Sequence, residues 1–98
     1  MKNKTMIAVL LIKVNKFMTY EDFKTLVDEK YKKILDEICN NEKCLQLKYV
    51  IASLGRSDFI VVYEVIAPEI AIMFSSLLRK DERIMDTETL IGVSSVLQ

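Results

Sequence analysis

Residues Phe59–Arg79 read FIVVYEVIAPEIAIMFSSLLR, and this stretch decides the fold. Its first eight residues are β-branched or aromatic apart from Glu64. They are apolar on both alternating faces, as in a strand with neighbours on either side. Ala67-Pro68 then turns the chain into a helix, with Pro68 at the first helical position, where its missing N–H is not needed. Ile70, Met73, Phe74, Leu77 and Leu78 follow as a buried stripe, and Arg79-Lys80 suit the negative helix end.

Working outward, Gly55-Arg56-Ser57-Asp58 reads as a tight turn before this strand. Residues 44–53 (CLQLKYVIAS) read as another strand, with Leu45, Leu47, Tyr49 and Ile51 on one face and Gln46 and Lys48 on the other. Residues 5–14 (TMIAVLLIKV) form a first strand, again apolar on both faces. Thr19-x-x-Asp22 has the capping-box form and opens a helix whose apolar positions run from Phe23 to Ile38. Asp28–Lys32 and Glu29–Lys33 are i,i+4 pairs on its wet face. Asn40-Asn41 ends it, because asparagine tolerates the left-handed conformation. Residues 86–96 (DTETLIGVSSV) read as the last strand, where Gly92 marks a bulge or a close approach.

The order βαββαβ predicts one α+β domain over residues 1–98, of ferredoxin-like type, with strand order 4-1-3-2. Strands one and three fall in the centre, and they are the two that are apolar on both faces. Two helices cover one face of such a sheet. The other would expose Ile, Val and Leu, each worth roughly 1.5–3 kcal/mol when fully buried, against a total stability of ~5–15 kcal/mol. A second copy packed face to face would cover it and make a homodimeric α/β barrel; the competing reading is a monomer whose second face carries smaller or shifted side chains.

Fourteen basic and fourteen acidic residues balance, with no run of one sign, so direct nucleic-acid binding is disfavoured. There is no histidine, and Cys39 and Cys44 are the only cysteines, so one chain lacks a tetrahedral zinc set. Two readings stand for the cysteines: a redox pair, or two small apolar residues at a helix end and a strand start. The second fits a cytoplasmic home. The apolar run at residues 6–12 is too short to span a bilayer, and no cleavage pattern follows it. No phosphate loop, dinucleotide fingerprint or serine–histidine set is present, so neither cofactor nor catalytic residues are expected.

The candidate site residues are few. At Gly55, backbone N–H groups can receive a carboxylate, Arg56 can add a guanidinium, and Asp58 can receive an ammonium. The bland reading has glycine supplying the turn and aspartate satisfying its amides. Thr87 and Thr89 offer hydroxyls on an edge strand, at the opposite end of the subunit from the 55–58 turn in this reading, so that a shared site needs a subunit contact. Glu64, if it faces the barrel interior, needs Lys48 or Lys13 as a partner. Tyr49 and Tyr63 are candidates for the same cavity.

Three pieces, LGRSDFIVVYEV, IAIMFSSLLRKDERI and TETLIGV, make the chain resemble stand-alone ligand-binding domains of the Lrp/AsnC type (RAM domains) and the similar GYD-like proteins. Gly55 and Asp58 match that family's G-x-Y-D turn, with Ser57 in place of the aromatic residue. Thr87 and Thr89 match its threonine-rich segment. The resemblance implies a dimeric α/β barrel open to higher assembly and a small effector, such as an amino acid, bound between dimers near Gly55–Asp58. It also implies a transcription-regulation accessory role without a helix-turn-helix. The alternative from another class is a small cofactor-free enzyme, similar to the monooxygenases or isomerases of this barrel, with acid/base work falling to Glu64 and Tyr63 or Tyr49.

Overall fold

The apolar periods form the elements they predict. A computed structural model describes residues 6–15, 17–40, 42–53 and 57–93. It contains β1 (Met6–Val14), α1 (Tyr20–Glu37), β2 (Leu45–Ala52), β3 (Phe59–Val65), α2 (Pro68–Arg79) and β4 (Ile84–Val93). The sheet order is β2-β3-β1-β4 with every neighbouring pair antiparallel, so β1 and β3 are central. This is the α+β ferredoxin-like architecture read from the sequence.

Strand alternation splits each central strand cleanly. Ala8, Leu10 and Ile12 of β1 and Phe59, Val61, Tyr63 and Val65 of β3 are buried against the helices. Phe23, Leu26, Val27 and Ile34 of α1 and Ala71, Phe74 and Leu78 of α2 close that core. Two ring contacts fix the helices on the sheet. Phe23 stacks on Phe59 at 4.1 Å, and Tyr63 meets Phe74 edge to face at 5.2 Å.

The local signals at helix ends act as expected. Thr19 Oγ1 accepts from Asp22 N at 3.0 Å, capping α1. Asn40 takes the left-handed conformation just beyond it, with φ of 50°. Lys32 pairs with Asp28 at 2.9 Å. Glu29, however, pairs with its neighbour Lys30 at 3.6 Å rather than with Lys33.

Four expectations need correction. β4 begins at Ile84, two residues before the predicted start, because Ile84 completes the core and pairs with Val14. Gly92 marks no close approach: nothing lies within 4 Å of where its Cβ would stand, and the irregularity in the β1–β4 pairing falls at Lys13/Val14. The β2–β3 register shifts between Leu47 and Tyr49, so Lys48 is an extra residue. Leu45 and Leu47 therefore face the helices, while Tyr49 and Ile51 are carried to the other side. Lastly, Cys39 and Cys44 lie where expected, at a helix end and a strand start, but are joined by a disulfide with Cα atoms 6.0 Å apart. Both are buried in the core.

Candidate functional site

The side of the sheet away from the helices is built row by row from the strand register. One row holds Gln46, Glu64, Ile7 and Gly92. The next holds Tyr49, Val62, Val9 and Leu90, and a third holds Ile51, Ile60, Leu11 and Glu88. Lys13 and Asp86 close the far end as a register pair. The middle is thus apolar and both ends carry charge. Tyr49 is 65% exposed and Leu90 53%, while Ile7, Val9, Leu11, Ile60 and Val62 are half-buried.

Glu64 stands on this open face and pairs with Lys48, Nζ to Oε2 at 3.0 Å. The β2 bulge that adds Lys48 also puts Tyr49 beside Val62, so Tyr49 and the Glu64–Lys48 pair share one surface. Tyr63 does not join them. It precedes Glu64 in a regular strand and so points the opposite way, into the helix-side core, with no exposure at all. Its hydroxyl has no hydrogen-bond partner among the described residues, and burial pushes the phenol well above its ordinary range. The cavity role predicted for Tyr63, and its acid/base pairing with Glu64, are therefore corrected.

Asp58 sits at the end of the sheet and is engaged by backbone. Its Oδ2 accepts from Val14 N at 2.9 Å, its N–H donates to Ile12 O at 2.8 Å, and its carbonyl accepts from Ser53 N at 2.9 Å. It locks the start of β3 onto the end of β1, the amide-satisfying role of a turn aspartate. It also lines a shallow groove of about 580 Å3 with Asn15, Phe17, Met18 and Tyr20. Phe17 is 92% exposed there. Sequence reasoning passed over Phe17 because it belongs to no periodic stretch; an aromatic outside any stripe was the available signal. Gly55 and Arg56, the other two members of the predicted turn site, lie outside the described residues.

Thr87 and Thr89 pair with Ile12 and Leu10, so they point to the helix-covered side and are half-buried. The placement of this segment at the opposite end from Asp58 is also corrected. β4 runs parallel to β3, and Thr87 and Phe59 both pair with Ile12. The start of β4 and Asp58 thus lie at one end of the same subunit, on either side of β1.

One further charged cluster is local. Asp81 takes both Arg83 Nε and Nη2 at 2.9 Å in the α2–β4 turn. The guanidinium hydrogen bonds hold its carboxyl at about 2. Among the described residues no group of three His, Cys, Asp or Glu side chains converges, and no helix is long and apolar enough to cross a membrane.

No family model matches the sequence, and none of the curated proteins does. Solved structures do match in shape. The hypothetical protein PHS023 from Pyrococcus horikoshii is 19% identical, with 92% of each chain covered and a TM-score of 0.52. An AsnC family transcriptional regulator from Agrobacterium tumefaciens is 11% identical with a TM-score of 0.59; 98% of this chain covers 55% of that one. A dimeric ferredoxin-like protein of unknown function from Thermobifida fusca is 16% identical, covering 95% of this chain and 93% of that one, at 0.51. What is shared is the fold. The chain spans just over half the length of the AsnC-type regulator, whose architecture in that part it has in common.

Proposed function

We propose that the chain is a non-enzymatic effector-binding and oligomerisation domain that works as a face-to-face homodimer, an accessory to transcription regulation that does not itself contact nucleic acid. The observation that carries this reading is the open sheet face. Its apolar centre is ringed by Lys13, Asp86, Glu64, Lys48 and Glu88, the pattern of an interface core with a polar rim. Each half-exposed Ile, Val or Leu in the centre contributes roughly 1 kcal/mol when a partner sheet covers it. Together they offset an association cost of ~4–15 kcal/mol. The AsnC-type and dimeric ferredoxin-like neighbours add support of the same kind.

In this reading a small zwitterion, such as an amino acid, binds at the Asp58 end. There an aspartate, the exposed ring of Phe17 and a groove come together, and a neighbouring subunit completes the enclosure.

Velocity sedimentation over a dilution series tests the dimer. The wild type is expected to sediment as at least two copies, and Val62→Lys, at the centre of the face, to lose the association made through that face, with circular dichroism unchanged. A wild type that stays a lone protomer at every concentration overturns the reading. Melting against the twenty amino acids tests the effector: a ligand at a hundred times its dissociation constant adds about 2.7 kcal/mol. No shift with any of them removes that half of the proposal.

A further inference from the structure

The outer side of α2 is at odds with its place on the surface. From Ile70 to Leu78 the helix carries no charged residue, although one side of it faces solvent. A solvated helix ordinarily shows a charged outer face, and one apolar nearly all round is a helix with neighbours on every side. Here the inner stripe of Ala71, Phe74, Ser75 and Leu78 packs on the sheet. The outer stripe runs Glu69, Ile72, Met73, Ser76 and Lys80. Ile72 is 61% exposed and Met73 41%. Beside it the two helices leave a groove of about 250 Å3 with an apolar floor of Ile34, Ile38 and Leu77, flanked by Ile72 and Met73 and edged by Lys33, Glu37 and Lys80. The same surface therefore offers both protruding side chains and a slot to take them.

The charges at the ends of this stripe name its occupant. Glu69 stands in the first turn of α2 and Lys80 caps its last. They lie eleven residues apart on one side of the helix, about 16 Å at the helical rise. Neither has an ion-pair partner among the described residues. Arg79 reaches back from the same end, Nη2 to Ser76 Oγ at 3.4 Å. A second α2 laid antiparallel across a two-fold axis between Phe74 and Ser75 sets Glu69 against the partner's Lys80, and Lys80 against the partner's Glu69. Met73 then meets the partner's Ser76, whose small side chain permits close approach. One surface with opposite charges at its two ends is self-complementary in the antiparallel sense, and that is the requirement of a two-fold contact. A parallel arrangement would set like charges together.

We infer that the outer face of α2 is a second self-association surface, packing antiparallel on α2 of another copy. It lies on the other side of the molecule from the open sheet face, so the two contacts are compatible. Used together, they carry association beyond two copies.

The test is sedimentation of the full chain at low salt with charge-swapped α2. Glu69→Lys and Lys80→Glu should each weaken the α2 contact at least tenfold by setting like charges face to face. The double variant, and an equimolar mixture of the two single variants, should restore it, because each contact again joins opposite charges. Ile72→Lys should leave two copies where the wild type exceeds two. Adding Val62→Lys should leave one. Loss of association in Ile72→Lys with none in Val62→Lys supports this surface and sinks the sheet-face dimer. A wild type that never exceeds two copies and keeps them in Ile72→Lys overturns the inference. Single swaps that weaken association without rescue in the mixture overturn it too.

Discussion

Replacing Tyr63 by phenylalanine should stabilise the protein, an unusual sign for a change at the centre of a core. Tyr63 has no exposure, lies between Ala8 and Leu47 in the sheet register, and sets its ring edge-on to Phe74. All of that apolar contact survives in Tyr63→Phe. What is lost is a buried hydroxyl without a partner among the described residues, whose desolvation costs ~1–3 kcal/mol in proteins. The void left by one oxygen, on the order of 10 Å3, returns only about 0.2 kcal/mol of that. The net expectation is a gain of about 1–2 kcal/mol, with the melting temperature rising ~4–8 °C for each kcal/mol in a domain of this size. Alkaline pH supplies an independent sign. Burial raises the phenol above its unfolded value near 10. The contribution is intact below that value. Above it, the unfolded chain releases a proton that the folded one keeps, and stability falls by up to ~1.4 kcal/mol per pH unit. Guanidinium unfolding of both proteins at about pH 7 and at about pH 11 reads both effects. The variant should be more stable at the first and further ahead at the second. A destabilised variant would refute the reasoning by showing that the hydroxyl is hydrogen-bonded in solution, and parallel alkaline slopes would refute it by showing that the phenol reaches water.

Other changes follow from the same geometry. Asp58→Ala leaves Val14 N without its acceptor and should cost about 1 kcal/mol or somewhat more, with Asp58→Asn milder; chemical unfolding compares them. Asp81 is held at about 2, below its unfolded value, by the Arg83 guanidinium. Its contribution is present above about pH 4 and lost as pH falls towards 2, and solvent screening keeps it to ~1 kcal/mol or less. An acid titration of stability should be flatter in Asp81→Asn than in the wild type. Reducing Cys39–Cys44, which closes a short loop, should lower stability by about 2 kcal/mol on the chain-entropy account. Melting with and without a dithiol reads this, and a double Cys→Ala variant should be indifferent to the reductant.

Much of this molecule follows from its sequence alone. Apolar periodicity, Thr19, Asn40 and Pro68 act within a few residues of themselves, so they place five of the six element starts closely and give the strand order. Alternation within β3 is equally local: Tyr63 and Glu64 are adjacent, and adjacent strand residues face opposite ways. Their separation was thus legible, although they were grouped as one cavity. Other features depend on pairing between distant segments, which no local pattern encodes. The bulge at Lys48 comes from fitting β2 to β3, and it alone carries Tyr49 and Ile51 to the open face. Thr87 turns toward the helices because its partner is Ile12. Asp58 takes its role from a β1 amide forty-four residues away. The disulfide needs α1 to end within 6.0 Å of the start of β2, Cα to Cα. The sequence by itself determined which faces are apolar. Only the tertiary structure decided which of them the molecule covers for itself, because coverage depends on strand register and helix placement rather than on the identity of any residue.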